Sequence, residues 1–250
     1  MSVKIKDLKE QEIMRTAGKK LAKILDILKL EVKEGITTKF LDKIAFELIL
    51  NEKAKPAFLG YNDFPGTICT SINDEIVHGI PSDKRYLKNG DILSIDIGLF
   101  YNNYCVDMSI TVPIGAISVE NQKLIDVTRL SLLEGIKFAK VNNRLGDIGH
   151  NIQKVVENAG FNVVMEYTGH GIGQNMHEPP EILHYGKENT GMQLKAGMVF
   201  AIEPMVNVGT WMTKILDDGW TVVTKDGKNS AHFEHTVLIR KDEPEILTKV

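Results

Sequence analysis

The sequence predicts an α+β fold in which a pair of helices followed by antiparallel strands occurs twice. Three observations predict it. Two stretches of helical apolar spacing lie near the N-terminus, and two more lie in the middle of the chain. After each pair come short β-branched runs cut by Gly, Pro and Asn. This repeated order suggests a pseudo-two-fold duplication, although the halves share no sequence period. No low-complexity linker divides them, so residues 1–250 read as one domain.

The first helix covers Asp7 to Leu30, with Ile13, Ala17, Leu21, Ile24 and Leu28 as its apolar stripe. The second starts at Thr37 or Thr38 as cap, runs to Asn51, and turns Phe40, Leu41, Ile44, Ala45 and Leu48 inward. Thr67 to Ile72 is a short strand between Gly60, Pro65, Gly66, Gly79 and Pro81. Asp91 to Phe100 and Tyr104 to Pro113 form a hairpin about Asn102-Asn103, a pair that tolerates positive φ. Ser118 opens a helix to about Val141, and Leu145 to Asn158 forms another, stopped by Gly160. Strands follow at Met198 to Glu203, Trp211 to Lys214, Thr221 to Thr224 and Ala231 to Arg240.

Composition narrows the function. The chain is 43% hydrophobic and 25% charged with a formal net charge of −3, which argues against a nucleic-acid footprint. Two cysteines, Cys69 and Cys105, form no C-x-x-C pair, so neither a disulfide framework nor a thiolate zinc module is expected and a reducing cytoplasm fits. Met1 to Glu12 is polar, without the apolar core of a signal peptide, and no stretch is long enough to span a bilayer.

The chemistry lies in carboxylates set in apolar strands. Asp96 interrupts Leu93-Ser94-Ile95-Asp96-Ile97-Gly98 and Asp107 interrupts Tyr104-Cys105-Val106-Asp107-Met108. Burying either is costly without a partner, a hydrogen bond or a metal. If Asn102-Asn103 is a two-residue loop, Tyr101 faces Tyr104 and Asp96 faces Ser109. Asp96 and Asp107 then become diagonal neighbours on one face, with Cβ atoms up to about 7–8 Å apart. A loop one residue longer would put them on opposite faces. Taken singly, either aspartate reads as a surface group on the polar side of a hairpin.

His170 stands between glycines in Gly169-His170-Gly171-Ile172-Gly173, which lets backbone approach a ligand and leaves the imidazole uncovered. His177 precedes the stiff Glu178-Pro179-Pro180. Glu203 ends the apolar run from Met198, and Glu234 precedes Val237-Leu238-Ile239. Each is ordinary alone. Together, four carboxylates and one imidazole suit two divalent ions of the Mn²⁺, Fe²⁺, Co²⁺ or Zn²⁺ kind, whose charges the carboxylates would neutralise.

Tyr167-Thr168-Gly169-His170-Gly171-Ile172-Gly173, then His177, Ile182, His184 and Tyr185, resembles the signature of type I methionine aminopeptidases. Asp96 and Asp107, Ile202-Glu203-Pro204 and Glu234-His235-Thr236 resemble that family's remaining ligand motifs in order and spacing, over nearly the whole chain. The resemblance implies the pseudo-symmetric "pita-bread" fold of creatinase and aminopeptidase relatives, in a compact bacterial form without an N-terminal extension. It implies that Asp96 chelates one metal, Asp107 and Glu234 bridge both, and His170 and Glu203 complete the second site. It also implies a general-base role for Glu203, with His177 and His78 binding the substrate carbonyl and the tetrahedral intermediate. Phe58, Tyr61, Phe64, Cys69, Met176 and Trp220 would line a methionine pocket, and a monovalent cation would sit near Asn73 and Ser230.

The activity so implied is removal of N-terminal methionine from nascent proteins and peptides, preferably before a small uncharged residue. The enzyme would be a cytoplasmic monomer that meets its substrates as far upstream as the ribosome. Three alternatives stay open: a proline-directed peptidase of the same fold, a catalytically silent metal-binding homologue, and a metal-dependent phosphoesterase. The first usually carries a large N-terminal domain for which 250 residues leave no room. The second usually loses ligands, and the third lacks a phosphate cradle here.

Overall fold

A computed structural model describes residues 3–249. Met1, Ser2 and Val250, the ends of the expected 1–250 domain, lie outside the described residues. Helices α1 (Leu8–Glu31) and α2 (Thr38–Asn51) precede β1 (Lys55–Pro56), β2 (Cys69–Ile72), β3 (Glu75–Val77) and the hairpin β4 (Ile92–Tyr101) and β5 (Tyr104–Pro113). Helices α3 (Val119–Lys137) and α4 (Leu145–Asn158) then precede β6 (Asn162–Val163), β7 (Gly169–Gly171), β8 (Glu178–Ile182), β9 (Val199–Ile202) and β10 (Met205–Asn207). The last strands are β11 (Thr213–Ile215), β12 (Val222–Thr224), β13 (Ser230–His232), β14 (Glu234–Leu238) and β15 (Glu245–Ile246). This is the twice-repeated order expected from the sequence.

Each helix start has a chemical reason. The Glu10 N–H donates to Asp7 Oδ1 (2.8 Å) while the Asp7 N–H donates to Glu10 Oε2 (2.7 Å), a reciprocal capping box. Thr37, rather than Thr38, caps α2 by accepting the Phe40 N–H at 3.2 Å. Ser118 caps α3 through the Asn121 N–H, and Gly160 follows α4 at φ +85°.

A nine-stranded sheet runs through both halves in the order β1-β4-β5-β14-β9-β7-β8, with β2 on β4 and β15 on β14. Every pairing in it is antiparallel. Two three-stranded sheets, β13-β10-β6 and β11-β12-β3, complete the fold. Leu93, Ile95, Ile97 and Leu99 of β4 pack with Met14, Ala17, Leu21 and Leu28 of α1 and Leu41 of α2 in one apolar core. Phe200, Ile202 and Val237 pack with Leu124, Leu132, Ile148 and Ile152 of α3 and α4 in the other. Side-chain alternation leaves Asp96, Asp107, Glu203 and Glu234 on the face turned away from the helices.

Five expectations need correction. Phe40 points outward and is 41% exposed. Leu41 and Ala45 are buried and Ile44 and Leu48 pack partly buried against the core as expected, with Thr38, Asp42 and Ile49 completing the inward face; Asp42 turns in to accept the Thr67 and Ile68 N–H groups. Helix α3 stops at Lys137, not near Val141, since Val141 bonds to the Arg240 carbonyl and leaves the helix. The strand expected over Ala231 to Arg240 breaks at Phe233: β13 pairs with β10, whereas β14 joins β5 and β9. The strand expected at Trp211 to Lys214 runs over Thr213–Ile215, and β7 and β8 form where no strand was expected.

Candidate metal centre

The hairpin register is the one a two-residue loop dictates. Tyr101 faces Tyr104, Asp96 faces Ser109, and Asn102 and Asn103 take φ values of 47° and 66°. Cys69, Asp96, Ser109 and Glu234 therefore form one row across β2, β4, β5 and β14. The next row on the same face runs Gly98–Asp107, then Thr236–Ala201–His170. The Thr236 hydroxyl joins its two parts, accepting the Asp107 N–H (2.9 Å) and donating to the Asp107 carbonyl (2.8 Å). Small residues thus alternate with acidic ones, and the acidic side chains have room to converge. Glu203 lies one residue beyond β9 and joins them from the side.

The glycines beside His170 have a different purpose from the one the sequence suggests. A Cβ on Gly169 would lie 2.4 Å from the Ala201 carbonyl oxygen, and one on Gly171 would lie 2.2 Å from that of Pro179. They let β7 pack between β9 and β8. The His170 Nδ1 lies 2.9 Å from the Gly171 carbonyl, which fixes the tautomer protonated there and turns the Nε2 lone pair toward Glu203 Oε1, 3.4 Å away.

Two triads have donor atoms that all lie within 4.8 Å of one another: Asp107, His170 and Glu234, and Glu203, His232 and Glu234. Asp96 Oδ1 and Glu234 Oε1 are buried with no hydrogen-bond partner. Burial, then the charge of Asp107, raises the Asp96 pKa well above the carboxylate range. Glu203 and Glu234 are raised by burial and by their acidic neighbours, and Asp107 is raised to about 7 by burial. Among the described residues, no Lys or Arg lines this cavity. Carboxylates crowded together with no cation among them, and with oxygens that lack a hydrogen-bond donor, are the surroundings a divalent cation satisfies. The donor set fits such an ion.

The cavity above the carboxylates holds about 270 Å³. Phe58, Tyr61, Phe64, Cys69, Met176 and Trp220 all line it, as do His78 and His177. Phe64 meets Trp220 edge-on, with ring centroids 5.1 Å apart. Cys69 is buried, and burial keeps its thiol protonated, so it belongs with the apolar wall. His78, which alone reads as an exposed loop residue, sits at φ +60° with Tyr167 and Trp220 edge-on at 6.0 Å. His177 lies 4.3 Å from His170 by ring centroids, and its Nδ1 is 2.7 Å from the Tyr61 hydroxyl. Burial lowers the pKa of both His78 (to about 4) and His177, so each ring is neutral near pH 7 and has one N–H.

Asn62, Val77, Tyr167, Thr168 and Met205 also line the cavity, a role the sequence did not reveal. Two further imidazoles also reach the site: His184, which the signature includes without a role, and His232, which the sequence did not single out. His184 Nε2 accepts the Glu203 N–H at 3.2 Å, and His232 Nε2 lies 3.6 Å from Glu203 Oε2. His232 ends β13 and Glu234 opens β14, two strands of different sheets that meet at the site. Asn73 and Ser230 adjoin, with the Ser230 N–H donating to the Asn73 carbonyl at 2.8 Å.

The family model for Metallopeptidase family M24 matches residues 12–241. Methionine aminopeptidase 1 of Bacillus subtilis is 53% identical over 242 residues, covering 97% of each chain. The crystal structure of methionine aminopeptidase from Thermotoga maritima superposes with a TM-score of 0.98 at 42% identity, covering 100% of both chains. Prolidase from Pyrococcus furiosus shares the fold at a TM-score of 0.80 and 24% identity, with 98% of this chain matching 65% of that one. The shared architecture is the pita-bread fold.

Proposed function

The chain belongs to metallopeptidase family M24, and from that premise we propose that it removes the N-terminal methionine of peptides and proteins. One observation carries this reading. Four carboxylates, two buried and two partly buried, converge with an imidazole and without a counter-charge at the floor of a cavity whose wall includes Phe64 and Trp220. A cavity of that lining accepts an unbranched thioether side chain, and the free, buried cysteines suit a reducing compartment. One sheet shared by both helix pairs supports a single catalytic domain over 1–250.

In this mechanism Asp96, Asp107, His170, Glu203 and Glu234 would hold two divalent ions of the first-row kind. Bound there, such ions would acidify water and polarise the scissile carbonyl. Glu203 takes the proton of the attacking water and passes it to the departing amine. His177 and His78, neutral N–H donors facing the cavity, stabilise negative charge developing on the carbonyl oxygen. Tyr61 donates to His177 Nδ1 and so leaves the Nε2–H for substrate.

The test is release of methionine from Met-Ala-Ser and of the first residue from an Xaa-Pro peptide, with and without added Mn²⁺ or Co²⁺. Metal-dependent release from the methionyl peptide alone is expected. No release from it at any metal concentration overturns the reading.

A further inference from the structure

We propose that His232 is a positioning residue for Glu203, donating its Nε2–H to Oε2 so that Oε1 is presented beside His170. The inference rests on the metal-centre reading above and adds a sixth side chain to it.

The Glu203 carboxylate lies between two imidazoles. His170 Nε2 approaches Oε1 at 3.4 Å and His232 Nε2 approaches Oε2 at 3.6 Å. The second imidazole is no accident of a loose loop. Its ring is 2% exposed, and its main chain is pinned at both ends by one hydroxyl: Thr111 Oγ1 accepts the His232 N–H (2.8 Å) and donates to the His232 carbonyl (2.9 Å). His232 Nε2 is a buried nitrogen with no hydrogen-bond partner. A buried donor without an acceptor is costly. Closing the remaining gap needs a carboxylate shift of about 0.7 Å to reach ordinary N–H···O distance.

The arrangement gives each atom of Glu203 one task. His184 holds the main-chain N–H, His232 holds Oε2, and Oε1 is left for the ion shared with His170. A carboxylate anchored on one oxygen keeps its basic lone pair aimed, and such outer partners typically govern metal affinity about 10–100-fold.

Cobalt(II) binding to the metal-free full chain separates the outcomes. His232→Gln keeps an N–H donor at similar reach, whereas His232→Met keeps volume and removes the donor. We expect His232→Met to weaken Co²⁺ binding by calorimetry about 10–100-fold, with His232→Gln within about threefold of wild type. X-ray absorption should count the same number of imidazoles around cobalt in all three. A lost imidazole in both variants makes His232 a direct ligand and overturns the proposal. So does unchanged affinity in His232→Met, or a tenfold loss in His232→Gln, the deciding measurement if the Met variant does not fold. Wild-type chain that binds no Co²⁺ sinks the metal-centre reading and this inference together. Wild-type chain that binds Co²⁺ and releases methionine, beside an unaffected His232→Met, sinks this inference alone.

Discussion

Buried carboxylates occur in two regions of this chain, and their surroundings are opposite. Glu178 meets the Lys6 ammonium at 2.8 Å with both side chains almost wholly buried, and it also accepts the Asn175 N–H. Burial works to raise its pKa, but Lys6 and that N–H hold it below the ordinary value. Asp42 likewise accepts two backbone N–H groups and pairs with Lys39. In the cavity, Asp96, Asp107, Glu203 and Glu234 have no cation, and two of their oxygens have no partner at all. Burial of an acid therefore says little about function. A buried acid whose counter-charge is missing says where a cation belongs.

The sharpest way to break that comparison is to neutralise one acid from each region. Glu178→Gln strands a buried ammonium and should cost about 3–5 kcal/mol of stability. Glu234→Gln in metal-free protein removes a repelling charge, so stability should hold or rise, while metal affinity falls. Urea unfolding of both variants without metal measures the difference. Equal destabilisation would mean that the cavity carboxylates are satisfied structural groups.

A smaller effect follows from pH. The cavity carboxylates have folded-state pKa values raised above their unfolded values, so folding favours their protonated forms. Metal-free protein should therefore be most stable below about pH 4 with respect to these groups, and should lose stability as pH rises toward 7, where Asp107 titrates. Metal removes the penalty. At a free concentration one hundred times its Kd it adds about 2.7 kcal/mol. The gap in Tm between metal-loaded and metal-free protein should widen from pH 5 to pH 7.5 in calorimetric scans. A constant gap would show that the carboxylates do not carry the linkage.

The same contrast explains what the sequence could reveal. Asp96 and Asp107 were legible because a two-residue loop fixes the register of a hairpin whose strands have ten residues each, and parity then does the rest. Helices α1, α2 and α4 were legible from spacing and caps. His170, Glu203 and Glu234 lie on strands of three to five residues or just past one, too short to carry a period. Their glycine and apolar settings and their joint charge drew attention to them, and the family resemblance gave each its role. Phe40 was misplaced because Asp42, a charged residue, is the one that turns inward. His232 went unnoticed for a related reason. Phe233 separates two strands that belong to different sheets, so nothing in the apolar pattern shows that His232 and Glu234 converge.

The least costly change probes the cavity wall rather than its floor. Tyr61 touches none of the carboxylates through a hydrogen bond, and its hydroxyl holds His177 Nδ1 at 2.7 Å. Tyr61→Phe removes that bond and nothing else of similar size. One such bond is worth about 0.5–1.5 kcal/mol, or roughly two- to tenfold in rate. If His177 acts on the transition state, the loss falls on kcat for Met-Ala-Ser with KM nearly unchanged. Metal affinity and Tm should stay at wild-type values, because the counter-charge deficit below is untouched. A variant that instead loses metal would place Tyr61 and His177 within the charged cluster, and the division between an apolar wall and an acidic floor would no longer hold.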